Sequence, residues 1–356
     1  MSGTDGAPPS ESWSEPFGRA VSLARDARQS EQEGRLTDAL ESYRAALRII
    51  SGAPPTPMTA NLLRWIGSVH RDMGRTSEAE RFYEESLRTA REAGTAAGQA
   101  AALNCSAAMA QRRGDLDAAE DLYGRAGRLA AEAGEIRLAG MIEQNLGVLA
   151  NIRGDLDAAL ARYRASLRAF DQIRDDEARS WVLNNMGMLL NDLRQHSRAE
   201  QAFEQGLAIA RGRGDGAMEA ALLTNLAEGL IAEGRHEEAG RALVRARQIV
   251  DSGDDLLRKA EVRKFQGVLA RERRGYEEAD LLLGEALDMA REAEDVLVLS
   301  EIQREIGSLR LLRGRPDEAR TAWQEALAGF QSIDATLDRQ LVEQALAQTG
   351  VEARPT

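Results

Sequence analysis

The sequence predicts an all-α solenoid of eight helix–turn–helix units, closed at its C-terminal end by one further helix. Two observations lead to this prediction. The heptapeptide RGDLDAA occurs at residues 113–119 and again at residues 153–159, which is a spacing of 40 residues. Strong helix formers also dominate the composition, and only two of the eight prolines lie after residue 60.

Eight copies of one unit appear when the chain is read in steps of 40 residues from a marker position. The markers are Gly34, Gly74, Gly114, Gly154, Arg194, Gly234, Arg274 and Gly314. Five residues after every marker stands an alanine, and seven residues before it stands an alanine or a glycine. The register never slips, so the chain is predicted to repeat one supersecondary unit that is stable only when stacked on its neighbours.

Each unit is predicted to be two helices joined by a short turn. Apolar and small residues recur at helical spacing on both sides of the marker. A marker glycine suits the left-handed conformation that ends a helix, and acidic residues such as Asp115 and Asp155 favour the first turn of the next helix. The small residues let the two backbones approach closely, and a large residue nine after the marker, such as Tyr163, fills the space beside them. Arg194 and Arg274 depart from the pattern because they replace the marker glycine.

The two ends are predicted to differ from the repeats. We expect residues 16–334 to form the repeats, residues 335–349 to form the capping helix, and residues 1–15 and 350–356 to be disordered tails. In the capping helix Leu337, Leu341 and Ala345 share one stripe, which predicts the face that covers the last repeat.

This pattern resembles the tetratricopeptide repeat (TPR) family over about residues 17–334. The family phrase reads here as Leu146-Gly147, Gly154, Ala159, Tyr163 and Ser166-Leu167. The 40-residue unit is similar to the long-helix variety of kinesin light chains, Pins-type polarity adaptors and bacterial Rap-like peptide receptors. The resemblance implies a right-handed superhelix in which the first helix of each unit lines a concave, ligand-binding groove.

By the same resemblance, groove residues lie 13, 10, 9, 6, 3 and 2 positions before each marker. At the ninth position Asn145, Asn185 and Asn225 follow one another in three successive units. An asparagine amide both donates and accepts, so it can hold the backbone of an extended peptide. The predicted binding residues are these three asparagines with their polar and apolar neighbours, namely Trp65, Asn104, Met141, Gln144, Asn145, Trp181, Asn184, Asn185, Met188 and Asn225.

Two structural alternatives to this site stay open. The asparagines could instead hydrogen-bond between adjacent first helices and fix the stacking of the repeats. Trp181 could be a filler of the core rather than a ligand contact.

Composition and motifs argue against several other functions. The net charge of −12 repels nucleic acid phosphates, and no run of 18 apolar residues could span a membrane. A single cysteine, Cys105, and a polar N-terminus without a secretory signal predict a cytoplasmic protein.

His196 and His236 occupy one place in successive repeats, where we interpret them as turn residues rather than metal ligands. No phosphate-binding loop and no nucleophile paired with a histidine is present, so we predict no catalytic residue, no metal and no cofactor.

The sequence therefore favours a non-enzymatic adaptor that binds a peptide or a partner protein segment in its groove. A peptide-responsive regulator of a signalling enzyme or transcription factor is the second possibility, and a solenoid that assembles with itself is the third. The oligomeric state does not follow from the sequence.

Overall fold

A computed structural model describes residues 14–333 and 335–348, and it leaves the side chains of residues 336, 337 and 348 undescribed. The described residues form seventeen α-helices and no strand, as the sequence predicts. Their contacts divide the chain into two compact units, of which unit 1 ends at Asp175 and unit 2 begins at Asp176. The predicted tails lie outside the described residues, except that the first helix already begins at Ser14.

Unit 1 contains four antiparallel pairs of helices. They are α1 (Ser14–Gln32), α2 (Leu36–Ile49), α3 (Pro57–Asp72), α4 (Thr76–Glu92), α5 (Ala96–Arg112), α6 (Leu116–Glu132), α7 (Ile136–Ile152) and α8 (Leu156–Ile173).

Unit 2 contains four further pairs and one additional helix. They are α9 (Asp176–Asp192), α10 (His196–Arg213), α11 (Gly216–Ala232), α12 (His236–Val250), α13 (Leu256–Glu272), α14 (Tyr276–Glu292), α15 (Val296–Leu312), α16 (Pro316–Ser332) and α17 (Thr336–Gln348).

Within each unit every helix packs against the next one along the chain. The odd-numbered helices also contact one another directly, from α3 through α5 to α7 in unit 1 and from α9 through α11 and α13 to α15 in unit 2. We call the surface formed by these first helices of the pairs the first-helix face of a unit. The paired architecture confirms the prediction of an all-α repeat.

The fixed small residues lie where two helices of a pair touch. All eight alanines five residues after the markers are buried, with Ala199 the most exposed at 1%. Gly187 faces the ring of Phe203 so closely that a β-carbon on the glycine would lie 2.4 Å from the ring. Gly307 faces Trp323 at the same distance. The repeat therefore fixes these positions because any larger side chain would separate the paired helices.

The markers end the first helix of each pair, as expected. Gly154 adopts a φ of 78°, and Arg194 and Arg274 adopt the same left-handed conformation at 54° and 62° although they have β-carbons. The following aspartates begin the second helix. Asp115 and Asp155 each accept a hydrogen bond from a backbone N–H three residues later, at 3.1 and 3.0 Å.

The last helix, α17, caps α16 as predicted, but its buried face differs from the predicted one. Val342 and Leu346 are buried against Trp323 and Phe330, whereas Leu341 is 54% exposed. Of the predicted stripe, Ala345 packs against this cluster and Leu341 does not, while the side chain of Leu337 lies outside the described residues. Leu341 was therefore wrong, because Val342, about 100° away on the helix, is buried in its place.

Candidate functional site

The predicted binding residues all lie on first helices, five in each unit. Unit 1 holds Trp65 on α3, Asn104 on α5, and Met141, Gln144 and Asn145 on α7. Unit 2 holds Trp181, Asn184, Asn185 and Met188 on α9, and Asn225 on α11.

Two pairs of asparagines connect adjacent first helices by the same hydrogen bond. Asn145 Nδ2 donates to Asn104 Oδ1 at 3.0 Å, and Asn225 Nδ2 donates to Asn184 Oδ1 at 2.9 Å. Asn104 and Asn184 are buried, whereas Asn145 and Asn225 are half-buried and keep one N–H free of this bond. In both units the polar stripe thus joins neighbouring helices, which is the geometry of the bracing alternative.

The remaining two amides on the stripe have no such bond. Neither Gln144 nor Asn185 makes a side-chain hydrogen bond within the described residues of its own unit, and both are half-buried. Asn185 in particular lies one helical turn after Trp181 and one turn before Met188.

Trp65 lies deeper than the other predicted aromatic residue. Its ring stacks on Tyr43 with centroids 5.6 Å apart, and the guanidinium groups of Arg28 and Arg64 lie 5.1 and 5.7 Å from its centroid. Trp65 also packs against the buried cluster that includes Ile66. Packing partners on both sides leave little of this ring free.

Trp181 and Met188 are the exposed apolar residues of the predicted set in unit 2. They are 45% and 44% exposed, so Trp181 is not a core filler in the described structure. Met141, at the matching place in unit 1, is 36% exposed, and its sulfur accepts a hydrogen bond of 3.7 Å from Arg137. Tryptophan is among the residue types enriched at the energetically important positions of protein contact sites.

A network of charged residues on the first-helix face of unit 2 was missed by the sequence analysis. Lys264 on α13 is only 7% exposed and donates to Glu301 on α15. Burial alone would lower the pKa of Lys264, but Glu301, with Glu228 and Glu261 nearby, raises it. Further along, Arg271 pairs with Glu305 at 2.7 Å and Arg304 pairs with Asp338 at 2.7 Å.

Three carboxylates of this network form no ion pair within the described residues, namely Asp192 on α9, Glu228 on α11 and Glu261 on α13. Of these, Asp192 and Glu228 are exposed. Both side chains reach water, yet the surrounding protein removes enough solvent to raise the pKa of each. Asp338 adds repulsion on Asp192, while on Glu228 the repulsion of Asp192 and Glu301 is opposed by the attraction of Lys264 and Arg304. Asp192 stands two positions and Glu228 six positions before its marker, and both are groove positions by the family resemblance, although neither carboxylate was among the predicted binding residues.

A separate open cleft of unit 2, of about 550 Å³, is lined by Arg211, Glu219, Arg245 and Ile249. The buried Glu219 carboxylate accepts hydrogen bonds from both arginines, at 3.0 and 3.2 Å. The charged side chains of this cleft thus pair with one another.

Comparison with known families agrees with the repeat. The family model described as tetratricopeptide repeat matches residues 27–92 and 137–212. The repeats are tetratricopeptide repeats. The 40-residue TPR register continues without a slip through the segments that the model does not match.

Solved TPR structures resemble the chain over most of its length at low sequence identity. The apo form of the quorum sensor NprR from B. thuringiensis is 13% identical with a TM-score of 0.69, and the match covers 87% of each chain. A Rap protein complexed with competence and sporulation factor is 12% identical with a TM-score of 0.61, covering 94% of this chain and 98% of that one. The Rap conjugation gene regulator of plasmid pLS20, in complex with the Phr* peptide, is 16% identical with a TM-score of 0.53, covering 97% and 81%. At these identities the likeness establishes a shared fold.

Other comparisons and searches add two findings. No curated protein gives a significant sequence match to the chain. In the described part of the TPR chain no helix is long and apolar enough to cross a bilayer, and no group of three His, Cys, Asp or Glu side chains is arranged to hold a metal ion.

Proposed function

We propose that this chain is a non-enzymatic, cytoplasmic TPR module that binds a peptide or a segment of a partner protein on its first-helix face. The observation that carries the proposal is the face of α9. There Trp181 and Met188 are exposed on either side of Asn185, whose amide is unbonded within unit 2. An exposed indole next to a flexible thioether and a free amide supplies both apolar contact and backbone recognition.

The amide pairs have a supporting part in this proposal. Asn225 bonded to Asn184 holds α11 against α9 and so fixes the surface on which Trp181 is displayed. In unit 1 the bond between Asn145 and Asn104 does the same for α7 and α5. These four residues position the binding surface, and Asn145 and Asn225 keep a free N–H for a ligand.

A regulator that responds to a peptide is the second candidate, and one observation favours it. The chain shares its fold, over most of both chains, with a Rap protein solved with competence and sporulation factor and with a Rap regulator solved with a peptide. In this version the peptide is the effector, and a signalling enzyme or transcription factor is the target.

Affinity capture with matched variants tests the proposal. The full chain is compared with Trp181→Ala/Met188→Ala and with the control Val244→Ala/Leu281→Ala, which truncates two exposed apolar residues on the second helices α12 and α14. Loss of two exposed anchors is expected to weaken binding by about 10- to 100-fold. The ligand should therefore remain on the wild type and the control and leave the first-helix variant.

Mass spectrometry of the captured material separates the two candidates. A protein retained through one of its segments supports the adaptor, and a short peptide supports the regulator. Identical capture by the wild type and the Trp181→Ala/Met188→Ala variant would refute a binding site on this face.

A further inference from the structure

One helix displays a continuous row of exposed and half-buried side chains in unit 2. Trp181, Asn185, Met188 and Asp192 follow at intervals of four, three and four residues, so they share one face of α9 over about 16 Å. Trp181 and Met188 are exposed, the Asn185 amide is unbonded within the unit, and Asp192 has no ion pair within the described residues. The row changes from apolar at its start to acidic at its end.

The charge left uncompensated on this face is negative. The three cations of the network are already bonded, since Lys264 pairs with Glu301, Arg271 with Glu305 and Arg304 with Asp338. Asp192, Glu228 and Glu261 remain without an ion pair in the described residues, and Glu228 lies within reach of both the attraction of Lys264 and the repulsion of Asp192. The named network thus holds six carboxylates against three cations, and a positive ligand group would offset part of this excess negative charge.

We propose that the first-helix face of unit 2 binds a cationic, extended segment of a partner chain. A lysine or arginine side chain lies between Asp192 and Glu228, and a neighbouring apolar side chain packs on Trp181 and Met188. This inference rests on the proposed function and adds to it the chemistry of the ligand.

The geometry also sets the spacing of the ligand residues. Met188 and Asp192 are one turn apart on α9. Glu228 lies on the next first helix, α11, and the axes of packed helices are about 8–10 Å apart. An extended segment advances about 3.3 Å per residue. The basic residue of the ligand therefore stands about two to four residues from its apolar residue.

Charge complementarity decides between this ligand and the alternatives. An acidic segment would add repulsion to Asp192 and Glu228, and a neutral one would remove water from both without giving them a counter-charge. The amide of Asn185 lies between the two anchor points, where it can hold the backbone of the segment.

A selection from random peptides tests the proposal. The immobilised full chain is presented with a phage library of random ten-residue peptides, in parallel with Asp192→Asn/Glu228→Gln and with the control Asp317→Asn/Glu277→Gln. The control makes the same charge change at exposed positions on the second helices α16 and α14. Enriched peptides are resynthesised, and their affinities are measured by fluorescence anisotropy at low and physiological salt.

The expected result is enrichment of lysine or arginine two to four residues from a large apolar residue. Affinity for such peptides should fall about 10- to 100-fold in Asp192→Asn/Glu228→Gln, with a weaker salt dependence, and should be unchanged in the control. Circular dichroism confirms that both variants are folded.

Two results would overturn the proposal in different ways. Enriched peptides without a basic bias, whose binding still requires Trp181, would leave the peptide-binding function standing and reject the cationic ligand. If no enriched peptide depends on Trp181 or on the two carboxylates, the proposed function and this inference fall together.

Discussion

A β-carbon placed on Gly147 would lie 2.6 Å from Cε1 of Tyr163. The two residues belong to α7 and α8, and the tyrosine is buried, so its ring has little room to withdraw. The same approach recurs between Gly67 and Tyr83, at 2.7 Å. The distance between the paired helices is thus set by a contact between a glycine and a large ring, repeated along the chain.

Gly147→Ala is expected to destabilise the protein. The added methyl would overlap a fixed aromatic ring, which typically costs about 1–3 kcal/mol, against a gain of up to about 1 kcal/mol from the better helix propensity of alanine. The midpoint of thermal unfolding followed by circular dichroism should fall by a few degrees. Gly124→Ala on α6 is the control, because its β-carbon would meet only the flexible end of Arg128 at 3.8 Å. That variant should melt at the same temperature or higher, and equal melting of the two variants would contradict this account of the contact.

Arg194→Gly is expected to stabilise unit 2. Arg194 ends α9 in the left-handed conformation that glycine adopts without strain, and its exposed side chain forms no ion pair within the described residues. Relief of this strain should gain about 0.5–1 kcal/mol, or roughly 2–4 °C in the melting midpoint. The reverse change at the same place in unit 1, Gly154→Arg, should lose a similar amount. A drop in the midpoint of Arg194→Gly would mean that the arginine side chain makes a stabilising contact.

The sequence predicts most of this fold because the repeat supplies its own alignment. Eight alanines in one register, from Ala39 to Ala319, cannot all be buried unless every unit has the same geometry. Arg194 adopts the left-handed conformation of the marker glycines although the sequence gives it as a departure from the pattern. The prediction was wrong for Leu341 on α17. This helix lies beyond the eight repeats, so no repeat position indicates whether Leu341 or Val342 is buried.

The candidate site was less predictable because it depends on which helices are neighbours and on how far each is shifted along its axis relative to the next. The sequence places Asn145 and Asn104 on successive first helices, but the choice between binding and bracing depends on a distance of 3.0 Å between two amides. The network around Lys264 is harder still. A lysine with three carboxylate neighbours at other positions of the repeat looks in sequence like an ordinary solvated surface.

Asn225→Ala and Asn185→Ala are expected to have opposite effects on stability. Removing the Asn225 amide leaves the buried Asn184 oxygen without its donor, at a cost of about 1–3 kcal/mol. Removing the Asn185 amide breaks no hydrogen bond within unit 2, and alanine is the better helix former. Thermal melting should therefore fall in the first variant and stay level or rise in the second. A clear fall for Asn185→Ala would assign that amide to the structure rather than to a ligand.

Glu228→Gln is expected to change how stability depends on pH. Burial, with repulsion by Asp192 and Glu301, raises the pKa of Glu228 above its ordinary value of 4.5, so the folded chain binds this proton more tightly than the unfolded chain does. At a pH above its raised pKa the charged Glu228 carboxylate therefore destabilises the native protein to its full extent. As the pH falls and the carboxylate binds its proton, the native protein gains stability.

Glutamine carries no charge at any pH. The variant should therefore be slightly more stable than the wild type at pH 7, by about 0.5 kcal/mol or less because the side chain reaches water. The difference should shrink as the pH falls through the raised pKa and should reach zero only below the unfolded value of 4.5. Urea unfolding at a series of pH values would measure it. The pKa of Asp192 is raised as well, so the variant keeps part of the pH dependence. A difference between variant and wild type that stays constant from pH 7 to well below pH 4.5 would show that the Glu228 carboxylate is not held in an unfavourable charged state.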